Sequence, residues 1–388
     1  MKAAVVLALI SAFQIYHQCL VNAYALHYSF TLWQISALSA SFPIGKFFGT
    51  ASVYAVYKKF SLRHTLELDA VLLVIGSVVS LFPSWLFLCF GRFLIGMGSG
   101  MGFISSNIAI FEFTSFSERP KVFFIGAILY ASSILFANAI TLFGEIPYLF
   151  LVFASNLPTF FSGEQPRIQP IHDLPGSFEE PAADSAEEFP PMRNPFWLAV
   201  ILMILNVAIG VPFIMSFSTI IFISFGLSNH YSLCAAQNLA PSSFTRDRGF
   251  GICLMAMFLI LITLENEQFD PEVRKWSLGI LFTVLAVTAG IPCNSAVCLI
   301  TEQFETQSLR IKGSANSRMI MWILSAISSA SFLSLLHFSP LAAFLPYFAA
   351  SLSLFVLLVF AFPDDEDELC VTVESPMGTE YGTAEMVH

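Results

Sequence analysis

The chain has 388 residues, 56% of them hydrophobic and 11% charged, with a mean hydropathy of +0.75. That balance excludes an ordinary water-soluble globule, and no run of Lys/Arg offers a surface for nucleic acid. The formal charge of −10 sits largely outside the apolar body: residues 164–193 hold seven acids and residues 363–388 eight, leaving 15 Lys/Arg against 12 Asp/Glu elsewhere.

A membrane span needs about 20 mostly apolar residues. The first such segment covers residues 3–24. It is long for a signal peptide, lacks an A-x-A-like cleavage site and runs directly into a second apolar segment, so it reads as a spanning helix. Gln14, Tyr16, His17 and Gln18 give it a polar patch suited to lining a cavity. Further spans are predicted at about 31–56, 67–83, 86–112, 121–143 and 146–162. Lys46, within the second, is expected to snorkel toward the interface or to pair structurally.

The fourth span is the most informative. Residues 91–119 read GRFLIGMGSGMGFISSNIAIFEFTSFSER. Glycines four apart, Gly96/Gly100 and Gly98/Gly102, allow helix backbones to approach closely in a membrane. Arg92 opens the stretch, and a guanidinium at that depth needs a partner, so a structural hydrogen-bonding role is expected. Glu112 and Arg119 close it.

Residues 164–195 form an acidic segment containing six prolines before Asn194, with the composition of a disordered linker. Five clear spans follow at about 196–224, 248–264, 277–301, 316–337 and 341–362, then an acidic tail. The expected organisation is a six-helix bundle over 1–163, a cytoplasmic linker over 164–195, a second bundle over 196–362 and a disordered tail over 363–388.

Lys58, Lys59, Arg63, Arg119, Lys121, Arg167 and Arg193 all fall on one side if the N-terminus is cytoplasmic. Arg310, Lys312 and Arg318 join them only if the chain crosses once more between residues 226 and 246. That stretch is short and polar, so the eighth helix is expected to be abbreviated or missing, giving 11–12 spans in all.

Glu112…Arg119 is echoed 190 residues later by Glu302…Arg310, each where a helix leaves the membrane. Such spacing suggests a duplicated architecture with a solute site between the halves. The architecture expected is therefore an all-α polytopic membrane protein.

These motifs resemble the sugar-porter branch of the major facilitator superfamily, the facilitative glucose transporters. GRFLIGMGSG is similar to the family's fourth-helix signature, and Glu112 and Arg119 match its E…R exit motif. Gly163-Glu-Gln-Pro-Arg167 resembles the PESPR motif. Residues 216–222, SFSTIIF, resemble the YYSTxIF ending of the seventh helix, and Trp322 stands twelve residues after Arg310, as the family's tryptophan does. The resemblance implies two six-helix bundles rocking about a central site, with Arg63, Glu112, Arg119, Arg167, Glu302 and Arg310 as a cytoplasmic latch. Gly96 and Gly100 are then packing residues, like Arg92. It also implies a plasma-membrane protein with both termini in the cytoplasm.

The departures fall where cargo would be read. The QQxSGxN of the seventh helix aligns with Asn206 to Pro212 and keeps only its glycine, with Asn206 as a shorter amide in the first position. The fifth-helix glutamine is Tyr130, the GPIPW of helix ten is GIPCNSAV, and the asparagine before Trp322 is Met321. A hexose pocket needs amides and carboxyls plus an aromatic face. The candidates are Gln14, Tyr130, Asn138, Asn206, Ser218 and Trp322.

Seven histidines and seven scattered cysteines form no metal-ligand pattern, so neither metal nor cofactor is expected. There is no P-loop and no nucleophile with a base at motif spacing, so the chain is not expected to be an enzyme. Embedded acids are few, with Glu67 and Asp69 near a helix start, which favours facilitative uniport over proton symport. The expected function is transport of a small polar solute, a sugar or polyol with a hexose as one candidate, by alternating access. The alternative is a degenerate carrier serving as a receptor or partner subunit.

Overall fold

The computed structural model describes residues 16–21, 24, 28–59, 62–82, 84–114, 195–225, 246–266, 268–285 and 307–361, with scattered positions between 121 and 137. Every regular element among them is helical: α1 (Leu32–Lys59), α2 (Leu62–Val79), α3 (Trp85–Phe113), α4 (Pro195–Ala208), α5 (Val211–Ser224), α6 (Arg246–Glu265), α7 (Gln307–Phe338) and α8 (Pro340–Ala361). Residues 271–285 are also helical. Most of the abbreviated eighth span expected between residues 226 and 246 lies outside the described residues, as do the linker up to 194 and the tail.

α3 begins after Ser84, whose extended backbone still lets its carbonyl accept from Leu88 N at 2.9 Å. It ends at Thr114, extended again, whose N–H and hydroxyl both donate to Ile110 O. The 29 residues between make a rod of about 43 Å. Trp85–Ile110 and Leu309–Phe338 are both long and apolar enough to cross a bilayer.

Two expectations need correction. The span predicted at 196–224 is two helices, α4 and α5, broken at Ile209–Gly210. Gly210 has φ +93°, a left-handed conformation that disfavours residues carrying a Cβ, and Pro212 sits in the first turn of α5, where its missing N–H costs nothing. The helix predicted at 316–337 begins at Gln307 instead. Its first turns are polar, so an apolar window does not register them, although they continue the helix without a break.

α3 is the axis of the N-terminal half, with α1 on one side and α2 on the other. Small residues set both crossings. A Cβ on Gly96 or Gly100 would run into the α1 backbone at Phe42 and Lys46 respectively, and one on Gly45 would meet Phe93 O of α3. One on Gly98 would stand 2.9 Å from Asp69 O of α2. Gly96 and Gly100 of the signature therefore face α1, while Gly98 faces α2 from the other side of the same helix.

In the C-terminal half α7 is the axis, touching α4, α5 and α8, while α6 packs on α8. The two axes are joined through α1, which packs almost as extensively on α7 as on α3.

Candidate functional site

The α1–α7 seam unites the halves, and its contacts run antiparallel. Lys46 of α1 meets Trp322 of α7, while Tyr54, two turns further along α1, meets Lys312, nearly three turns earlier in α7. Apolar layers close the seam at two levels. At one end, Tyr16, Leu20, Ile35 and Leu38 join Phe213, Phe217, Phe332, Phe344 and Tyr347 in a single buried cluster. Phe213 stacks on Phe332 with ring centres 4.3 Å apart, and Tyr347 shares a 2.7 Å hydrogen bond with Ser328. Toward the other end, Val53, Met101, Ile104 and Ile108 pack on Ile311 and Ala315.

Between these layers lies a group of buried cations. Arg92 is 1% exposed. Its Nε donates to Leu38 O at 3.0 Å and its Nη1 to His17 O at 2.6 Å, tying the first helical segment to α1. Phe42 lies between two charges, with Arg92 Cζ 5.4 Å and Lys46 Nζ 4.7 Å from its ring centre. Lys46 Nζ also stands 4.3 Å over Trp322, and Arg318 Cζ stands 4.4 Å over Phe103.

Lys46 is 4% exposed and Arg318 2%. Ring faces attract such cations by about 2 kcal/mol when desolvated. The cost of burying each charge is several kcal/mol. The rings therefore offset only part of that cost.

The acids with described side chains do not make up the difference. Glu67, Glu265, Asp270 and Glu272 are exposed. Asp69 is fully buried, but it faces Gly98 from α2, and neither of its carboxylate oxygens has a hydrogen-bond partner. An ion pair between described side chains, Lys275–Glu272 at 3.3 Å, lies on the surface.

Two readings of charged residues change as a result. Lys46 does not snorkel: its ammonium is held inside by Phe42 and Trp322. Arg318 is not a flanking cytoplasmic charge, because α7 starts earlier and the guanidinium is buried one turn before Trp322. Its spacing of four from Trp322 places both on one helix face, a signal available in the sequence. Asp69 is expected near a helix start, but α2 begins at Leu62, which puts Asp69 two turns in, where it is buried against α3.

The other candidates are spread more widely. Trp322 packs with Ala199, Leu202 and Met203 of α4 as well as under Lys46. Asn206 is half-buried on α4 and Ser218 fully buried on α5. Gln14, Tyr130, Asn138, Arg119, Arg167 and Glu302 lie outside the described residues. Arg63 and Glu112 fall in the first turn of α2 and the last turn of α3, and Arg310 is half-buried in the first turn of α7. Among the described residues, the halves thus meet through apolar layers with rings and buried cations between them.

Residues 6–146 match the family model "Sugar (and other) transporter". No curated protein sequence matches the chain. The fold is similar to the crystal structure of a D-xylose–proton symporter, with a TM-score of 0.67 at 16% identity over 93% of this chain and 96% of that one. It is also similar to the proton:xylose symporter XylE bound to 6-bromo-6-deoxy-D-glucose, with a TM-score of 0.65 at 14% identity over 93% and 95%. The inward-open xylose transporter XylE of E. coli gives 0.65 at 15% identity, again over 93% and 95%. With the signature helix packed through its glycines and two helical halves joined along α1 and α7, the chain has the fold of these transporter structures, and its residues 6–146 resemble the sugar-transporter family.

Proposed function

We propose that the protein carries a small polar solute, a sugar or a polyol, across a membrane by alternating access between its two halves. The observation that carries this is the layered α1–α7 seam: a buried polar level containing Lys46, Arg318 and Trp322, with an apolar layer on either side. A solute held at that level is screened from both aqueous phases until one layer parts. Side-chain layers can part and re-form, whereas backbone crossings such as Gly45–Gly96 move as rigid units.

Asn206, Ser218 and Trp322 are the described candidates for touching the solute, joined by Gln14, Tyr130 and Asn138 from elsewhere in the chain. The latch of Arg63, Glu112, Arg119, Arg167, Glu302 and Arg310 would hold the cytoplasmic ends together, across bundles bounded near 163 and 196. Facilitative uniport is favoured, because none of the acids with described side chains lies on the seam. The relatives of similar fold are described as proton symporters, so a proton gradient belongs in the test. The proposed setting is the plasma membrane, with both termini in the cytoplasm.

The test is uptake into proteoliposomes containing the full chain, with xylose, glucose and a polyol, with and without an imposed proton gradient. Saturable, gradient-independent uptake is the expected result. Absence of flux for every solute, with protein present and correctly reconstituted, would overturn carriage. Solute binding without flux would instead favour a receptor or partner subunit, a reading supported by the loss of amides at Tyr130 and along 206–212.

A further inference from the structure

We propose that the basic cluster in the seam binds an anionic group of the solute, so that the preferred cargo is a carboxylate- or phosphate-bearing sugar derivative rather than a neutral hexose. This rests on the carrier reading above and identifies the chemistry of its cargo.

The cluster is continuous. Arg92 and Lys46 share the ring of Phe42. Lys46 reaches Trp322, and Arg318 lies one turn from Trp322 on the same face of α7. Electrostatically, His17 feels Arg92 and Lys46, and Lys46 in turn feels Arg318. Three basic side chains and an imidazole from the first helical segment, α1, α3 and α7 thus converge, each at most 4% exposed.

Two polar atoms in the cluster have no hydrogen-bond partner: the guanidinium donor Arg318 Nε and the ring nitrogen His17 Nε2. Both side chains are more than nine-tenths buried. Buried polar groups are nearly always satisfied, and a charge buried without a partner is among the costliest arrangements a protein can hold. Lys46 likewise makes ring contacts and no ion pair among the described residues.

A neutral sugar would add hydroxyls to this cluster but no charge. A carboxylate or phosphate would supply several acceptor oxygens and compensate the charge, and charge-assisted hydrogen bonds are the stronger kind. Arginine's planar donor fork matches both groups, while lysine serves as a point charge. The cations also come from both halves, Lys46 and Arg92 from one and Arg318 from the other. An anion between them would draw the halves together, which is the coupling that alternating access requires.

The test uses full-length protein in proteoliposomes and in detergent, with glucuronate, glucose 6-phosphate, inorganic phosphate, glucose and xylose at matched ionic strength. Saturable uptake of glucuronate or glucose 6-phosphate, at least tenfold above that of glucose, is expected. Lys46→Met and Arg318→Gln should each reduce it tenfold or more, while Lys46→Arg and Arg318→Lys retain part of it. Which anion is taken up distinguishes carboxylate from phosphate. In detergent, the same anions should raise the melting temperature where glucose does not.

Competition on the unmodified protein provides a second readout, one that does not depend on the neutralised variants keeping their fold. Saturable glucose or xylose flux that none of the anions inhibits would overturn the inference and leave the carrier reading intact. Stabilisation by an anion with no flux of any solute would uphold the anion site and overturn carriage. Neither flux nor stabilisation would overturn both.

Discussion

The two faces on which α1 packs are built from opposite materials. Against α3 it lays glycine on backbone, so that Gly45 and Gly96 leave no room for a Cβ on either helix. Against α7 it offers Lys46 and Tyr54 to Trp322 and Lys312, contacts between ring faces and the flexible ends of long side chains. The first interface cannot slide without a clash. The second can open by rotating side chains, and whatever enters can replace a ring face. One helix thus carries both a fixed joint and a working one.

The sharpest way to break this comparison is to fill the fixed joint. Gly96→Leu places its Cβ against Phe42 O, with Gly45 Cα 3.1 Å away, and all of these are backbone atoms that cannot rotate aside. Overpacking a well-filled site costs about 1–3 kcal/mol when side chains can yield. Here they cannot, so loss of a monodisperse peak on size-exclusion chromatography is expected. A Gly96→Leu protein that melts like the unmodified one would show that the α1–α3 crossing is not close-packed.

Next comes the apolar layer of the seam. Phe213 is fully buried, 4.3 Å from Phe332 and 4.6 Å from Tyr347 between ring centres. Phe213→Ala should cost about 3–5 kcal/mol. It should lower the melting temperature while leaving a folded, monodisperse protein, because α1–α3 is untouched. If it abolishes folding as Gly96→Leu does, the two interfaces do not differ in kind.

How much of this could be read from the sequence follows the same division. Helices α1, α2 and α3 lie within a few residues of their predicted bounds, and the glycine pairs of α3 declared its close packing, because a missing side chain is visible wherever its partner lies. The seam was not legible. Lys46 and Trp322 are 276 positions apart, and a cation over a ring leaves no charge pattern to find. Arg318 looks like a flanking charge in the sequence because an apolar window starts α7 nine residues late. The break at Gly210 did have a local signal, Gly-x-Pro within an apolar run. The resemblance to a sugar-binding motif over the same residues masks that turn signal.

The smallest effect belongs at the rim. Tyr54 and Lys312 are both exposed, with Nζ 4.9 Å from the ring centre. An exposed cation–π contact contributes about 0.5–1 kcal/mol. A double-mutant cycle of Tyr54→Leu and Lys312→Gln should return a coupling energy in that range, read from chemical or thermal unfolding. The same cycle on Trp322→Leu and Lys46→Met should give a larger coupling, since both groups are buried and Lys46 has no acid to fall back on among the described residues. Its sign is the informative quantity. If the buried pair is net stabilising, the ring alone suffices for the ammonium and the seam is complete as built. If removing Lys46 from the otherwise intact seam stabilises the protein while reducing uptake, the lysine is kept against the interest of the fold and for the sake of what binds there. A rim pair and a core pair of the same chemistry would then differ in purpose as well as in depth.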